Sequence, residues 1–342
     1  MSGKFKPVII WLFIGAVMVF IMTAIGGITR LTESGLSMVD WNLIMGSIPP
    51  LSEEAWQQTF EEYQNFPEYQ TTHQHFNLED FKGIFFWEYF HRLFGRLIGI
   101  VFLIPFFIFL KKGLIKGKLL KQLLFLLSMG AFQGFLGWYM VSSGLVHEPR
   151  VSHFRLAAHL STAFFTISYS LWIALDLKQS GSVPVKADMK TKRLTLVTLV
   201  FLCIQIVFGA FVAGKDAGMI HNFWPNMNPG ELISSEVFSE NSLFSSLINN
   251  PSGIQFMHRY LAYIVSLLIG ILWYRSKNHT DSETRFGFQV VGIIVIFQFA
   301  LGVITLVYQV PLTMALLHQL GALLLLLSMV RVTHRLHNTI SR

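Results

Sequence analysis

The sequence predicts an all-α, polytopic membrane protein with eight transmembrane helices arranged as two tandem pseudo-symmetric four-helix bundles. Three observations carry this. First, 53% of the 342 residues are hydrophobic and 13% are charged, against about 25% charged in soluble domains; the mean hydropathy is +0.52. Second, eight segments are apolar over the roughly 20 residues needed to cross about 30 Å of hydrocarbon. Third, the second half repeats the motifs of the first in the same order. This composition excludes a water-soluble enzyme, a disordered chain and a nucleic-acid-binding module. The single cysteine, Cys203, excludes an intramolecular disulfide, a cysteine-based zinc site and an iron–sulfur cluster.

The spans are expected near 8–28, 84–110, 122–146, 154–175, 194–214, 254–274, 286–308 and 312–330. Lys4 and Lys6 precede the first, as in a signal peptide, but its apolar run is long for one. It also has a counterpart later in the chain, so it is read as a helix. The connections alternate in charge. Segment 111–121 carries Lys111, Lys112, Lys116, Lys118 and Lys121 and no acid. Segment 176–193 is also basic, and the tail carries Arg331, Arg335 and Arg342. Segment 29–83 has Arg30 and Lys82 against nine acids, and segment 215–253 has Lys215 as its one base. By the positive-inside rule both termini face the cytoplasm, and the two long connections face outward. The expected location is a bacterial inner membrane.

The repeat runs motif by motif. Gly26–Gly35 ends the first span and Gly209–Gly218 the fifth, each followed six residues later by a tryptophan, Trp41 and Trp224. Phe90-His91-Arg92 is matched by Met257-His258-Arg259. Gln133-Gly134-Phe135-Leu136-Gly137 is matched by Gln298-Phe299-Ala300-Leu301-Gly302, and His159 by His318. Two units follow, 1–180 and 181–342. Each has an even number of spans, so the repeat is parallel, about an axis along the membrane normal.

Of 12 histidines, eight fall in loops, span ends or tails and are expected to be solvated: His73, His75, His147, His153, His221, His279, His334 and His337. Three of these, His147, His153 and His221, have a substrate entrance as their functional alternative. The other four, His91, His159, His258 and His318, lie inside the even-numbered spans, within roughly 10 Å of the outer hydrocarbon edge. Ionisable groups there are costly and usually functional. Imidazole nitrogens ligate heme iron axially, and a flat apolar macrocycle fits between bundle helices. Two pairs give two sites, one in each unit. Zinc or copper is the rival, but a compact metal prefers three or four converging ligands.

Glu88 lies three residues before His91, on the same helical face. Its repeat partner is the neutral amide Gln255. A carboxylate can move protons or stabilise positive charge, and an amide cannot do the first. A structural ion pair from Glu88 to Arg92 is the alternative. Arg92 and Arg259 are candidates for heme propionates, or for snorkelling to the interface.

Taken together, Gly26–Met38, Glu88-x-x-His91-Arg92, His258-Arg259 and His318-Gln319 resemble the heme A synthase family through nearly the whole chain. The resemblance implies oxidation of the C8 methyl of heme O to a formyl group, giving heme A for terminal oxidases by two hydroxylations and loss of water. It implies substrate heme O between His91 and His159, heme b between His258 and His318 as electron relay, and Glu88 as the catalytic glutamate. Heme O synthase and an electron donor are the implied partners, beside membrane lipid, with no nucleic acid; a homo-oligomer is compatible. Some members carry cysteine pairs in the outer loops. This chain has none there, which resembles the cysteine-free branch of proteobacterial and mitochondrial members. A membrane diheme b-type electron-transfer protein is the alternative function. Segment 42–83, with Trp56, Tyr63, Phe66 and Tyr69, is expected to form an ordered outer cap, to cover the substrate or to meet a partner.

Overall fold

The fold is that of a computed structural model, which describes residues 3–38, 48–144, 150–179, 186–187, 189–277, 279, 281–337 and 340–341. Trp41, His147 and positions 42–47 of the cap segment lie outside the described residues. Among the described residues, eight helices are long and apolar enough to cross a membrane. They are α1 (Lys6–Leu31), α3 (Leu78–Lys111), α4 (Gly117–Val141), α5 (His153–Gln179), α6 (Met189–Gly214), α8 (Pro251–Ser276), α9 (Ser282–Val307) and α10 (Leu312–His337). Two short helices, α2 (Glu53–Gln64) and α7 (Leu243–Ile248), lie in the long connections. A two-residue parallel pairing joins β1 (Lys186–Ala187) to β2 (Ile340–Ser341). The chain is an integral membrane protein. Large side chains such as Phe107 and Phe297 stand exposed on the outside of their helices, as lipid allows and water does not.

The helix ends follow local chemistry. Asn77 starts α3 six residues earlier than the apolar run suggests. Its side chain accepts from the Glu79 and Asp80 amides, and Asp80 accepts from the Asn77 amide, a reciprocal cap of the first turn. The first turns of α3 therefore belong to the outer cap. Asn250 caps α8 ahead of Pro251, and Asp281 caps α9 by accepting from Thr284.

The chain divides into two compact units, one of Ile14–Thr166 and the other of Met1–Phe13 with Ile167–Arg342. In the second, α6 packs on α8, α8 on α9, α9 on α10, and α10 back on α6. That ring closes a four-helix bundle, its core filled by residues such as Leu202, Val265, Val291 and Leu323. In the first, the outer segment folds down on the start of α3. Met38, Phe60, Tyr63, Phe81, Ile84 and Phe85 form its core, edged by Trp56, Tyr69, Phe76 and Tyr89. The segment around Trp56 and Tyr63 is thus an ordered cap.

Several outlying histidines are not solvated as expected. His334 is fully buried, because its Nε2 meets Asp176 at 2.8 Å under Trp172. His73 and His153 are buried as well. A solvated ring was expected at these positions because they fall in a connection, at a span end or in the tail, but here the cap and the helix ends pack over them.

Candidate functional site

In the unit of Ile14–Thr166, the turn that follows α1 closes over Glu88. The carboxylate is 3% exposed and satisfied on both oxygens. One accepts from the Ser37 hydroxyl and the Met38 amide, each at 2.8 Å. The other accepts from Arg92 at 2.6 Å, and Arg92 also donates to the Met38 carbonyl at 2.9 Å. The motif Gly26–Met38 therefore exists in part to seat this carboxylate. Arg92 is engaged through one nitrogen, Nη2, with both Glu88 and Met38.

Three residues along α3, His91 faces Gly26 of α1. A β-carbon on that glycine would lie 3.1 Å from Nε2 of His91, close enough that the ring would have to give by a few tenths of an ångström. His91 and His159 are within electrostatic reach of each other. Gln133 of α4 donates to the backbone carbonyl of His159 at 3.1 Å. His91 comes thirteen residues into α3, against six or seven for the other three in their helices, because α3 reaches up into the cap.

The other unit holds the better-defined pair. The rings of His258 on α8 and His318 on α10 have centroids 6.3 Å apart and planes at 84°. Gly209 lies against His258, a β-carbon there falling 3.1 Å from Cε1. Gly302 lies against His318, at 2.8 Å from Cε1. The Gln205 amide nitrogen of α6 is 3.1 Å from Nδ1 of His258. Gln298 of α9 is 3.1 Å from Nδ1 of His318 and donates to its backbone carbonyl at 2.8 Å. Where the first unit has Glu88, this one has Gln255, which donates to the carbonyls of Ala217 and Ile220. Arg259 donates to the carbonyls of His221, Phe223 and Asn226. Like Arg92, it ties down an outer loop.

These residues fit heme iron. Metal–nitrogen bonds of about 2 Å on either side of one iron put imidazole centroids about 6 Å apart, which the His258–His318 pair meets. All four histidines are half-buried as residues. A compact zinc or copper site fits poorly: among the described residues no group of three or more His, Cys, Asp or Glu converges as a metal site.

The candidate entrance residues divide. His153 is buried against Phe154. His221 has both nitrogens engaged, by Asn228 at 2.7 Å and Ser252 at 2.9 Å, and organises its loop. Sequence reasoning missed Ser37, Gln205 and the ring contacts of the glycines. The glycines were visible as repeated motifs, and their role shows only when α1, α6 and α9 are set beside the histidine helices.

The fold and site define an integral membrane protein with paired imidazoles set among its spanning helices. The chain belongs to the COX15-CtaA family of cytochrome oxidase assembly proteins, whose profile matches residues 9–330. It is 48% identical to heme A synthase of Flavobacterium johnsoniae over 340 residues, covering 98% of this chain and 99% of that one. Heme A synthase of Nitrosospira multiformis is 42% identical over 337 residues, covering 97% and 94%, and that of Rhodospirillum centenum is 42% identical over 333 residues, covering 97% and 88%.

Proposed function

We propose that the chain acts as a heme A synthase, with the labour divided between two tandem units, approximately 1–180 and 181–342. It oxidises the C8 methyl of substrate heme O to a formyl group. His91 and His159 hold heme O in the first unit, and His258 and His318 hold a resident heme b in the second. The observation that carries this is the His258–His318 pair, with ring centroids at a bis-imidazole iron spacing. Heme b supplies reversible one-electron chemistry when bound.

The protein's part is holding and positioning. Gly26, Gly209 and Gly302 admit the imidazole rings by offering no side chain. Gln133 and Gln298 clamp the backbone of His159 and His318. Glu88, one helical turn from His91, offers a carboxyl group for proton transfer, and the Ser37 hydroxyl donates to one of its oxygens. The amide Gln255 at the matching place cannot do this, which separates the substrate unit from the relay unit and weighs against a diheme electron carrier. The Lys-rich connections support a reading with both termini in the cytoplasm of a bacterial cell and the capped sites outside. An electron donor and the enzyme that makes heme O are the partners this reading requires.

The test is extraction and mass analysis of the porphyrins that copurify from a host supplied with heme O. Heme A beside heme b is the expected result. Heme b alone, with no altered heme on any time scale, would leave an electron carrier instead.

A further inference from the structure

This inference deepens the reading above and rests on His258 and His318 being ligands of a resident heme. Gln205 lies four residues, about one turn, before Gly209, the glycine that touches His258. Its amide nitrogen is 3.1 Å from Nδ1 of that ring and 3.5 Å from Nε2. Its amide oxygen is buried and has no hydrogen-bond partner among the described residues. The two ends of a carboxamide are nearly alike in shape, and hydrogen bonding decides which faces where. A heme iron held by Nε2 would use that nitrogen's lone pair. The ring proton then sits on Nδ1, and a buried N–H requires an acceptor. A half-turn of the Gln205 amide brings its unsatisfied oxygen to that position.

The first unit lacks this group. Gly26 lies against His91 on its Nε2 side, where Gly209 meets His258 at Cε1, and four residues before Gly26 stands Met22. A thioether is only a weak acceptor, and the Met22 methyl packs toward Gly95. Among the described residues no side chain is hydrogen-bonded to the His91 ring. The other glutamines are alike only in part: Gln133 and Gln298 each donate to a histidine carbonyl, but Gln298 also lies 3.1 Å from Nδ1 of His318, whereas Nδ1 of His159 has no hydrogen-bond partner among the described residues.

We propose that Gln205 is a positioning residue that accepts the Nδ1 proton of His258. It fixes the ring's tautomer and orientation, strengthens its bond to iron, and so makes the second-unit heme a retained relay of lowered reduction potential. Met22 at the matching place leaves His91 without that support, and the first-unit heme stays exchangeable, as a substrate must.

Three variants of the full-length protein, purified with heme b, test this by redox titration of the heme spectrum. Gln205→Glu offers a charged acceptor and lowers the potential; Gln205→Leu offers none and raises it. The expected change is about tenfold in the ferrous-to-ferric ratio at fixed potential in each direction, 59 mV for a one-electron couple. Gln205→Met copies the first unit, follows Gln205→Leu in direction, and loses heme to an acceptor protein about tenfold faster than wild type. A merely structural glutamine would not send Glu and Leu to opposite sides of wild type. Potentials unchanged in all three, or shifted the same way by Glu and Leu, overturn the proposal. His258→Ala keeps the two layers apart. Survival of the heme b spectrum there refutes the ligand assignment itself, whereas its loss beside unaltered Gln205 variants refutes only the role of Gln205.

Discussion

A β-carbon on Gly302 would stand 2.8 Å from Cε1 of His318, so α9 and the ring on α10 meet across bare backbone. A contact that short forces the ring or the helix to move, and ligating groups tolerate only about 0.5 Å of misplacement. Gly302→Ala is expected to lower heme b bound per protein severalfold. Gly270→Ala, on α8 with open space around it, is the matched control and keeps its heme. Heme quantified by absorption against protein mass checks both, and full heme in Gly302→Ala would mean the ring has slack to yield.

Much of this was legible in the sequence because it is written in period and repetition. Apolar runs revealed the eight spans, since the bilayer demands a length. Four histidines in matching places revealed the pairs. The same reasoning mislaid His334, because burial at a helix end depends on a partner, Asp176, 158 residues away. The Glu88–Arg92 ion pair was among its alternatives, but it could not foresee that Arg92 and Arg259 also bind backbone carbonyls, which every residue offers. Gln205 was invisible for a related reason. An amide in an apolar helix reads as ordinary until the ring opposite it is known.

Glu88 joins the chemistry to the loop above it. Glu88→Ala removes the acceptor for Ser37, Met38 and Arg92 together, and leaves a buried guanidinium without its carboxylate, a loss of several kcal/mol in comparable sites, about 3–5. Glu88→Gln keeps the shape and removes the proton acceptor. Both variants are expected to retain heme b, since their lesion lies in the other unit, and to stop formyl formation. Chromatography of extracted hemes measures this. Normal heme A in Glu88→Gln would assign the residue to the loop alone.

Arg335 binds the cap residue of α9. Its guanidinium meets both Asp281 oxygens, at 2.6 and 2.8 Å, and Glu283 at 2.6 Å, and its hydrogen bonds hold Asp281 well below the usual carboxylate range. A carboxyl lowered by folding stabilises above its ordinary range, and that contribution is lost as pH falls through it. Between about pH 6 and 9 it is constant. Arg335→Gln is expected to destabilise by about 1–2 kcal/mol, the low end for charge-assisted bonds at a partly exposed site. Thermal unfolding in detergent reads the change, which should not vary across that pH window; an unaltered midpoint would make the bridge idle.

The cap carries its own pH response. The Tyr63 hydroxyl donates to Glu68 at 2.9 Å and lies 2.8 Å from Nδ1 of His73, and all three residues are buried. Burial pushes the Glu68 carboxyl up to about 8; Glu88 and Glu33 add to this, and the Tyr63 bond opposes it. Burial also lowers His73, against the pull of Glu33, with His75 pushing the same way as burial. Glu68 therefore binds its proton more tightly in the closed cap, so its contribution is complete below the ordinary value of 4.5 and is lost as pH rises through about 8. His73 has the opposite sign: its neutral form is favoured in the closed cap, and its penalty appears as pH falls below the ordinary 6.5. Above that point only the Glu68 slope remains. Taking the protein from about pH 6.5 to 9 should loosen the cap, seen as faster amide exchange over 53–76 after correction for intrinsic rates. Glu68→Gln, which cannot ionise, should flatten the response. Equal slopes in the two proteins would show that the buried carboxyl does not govern the cap.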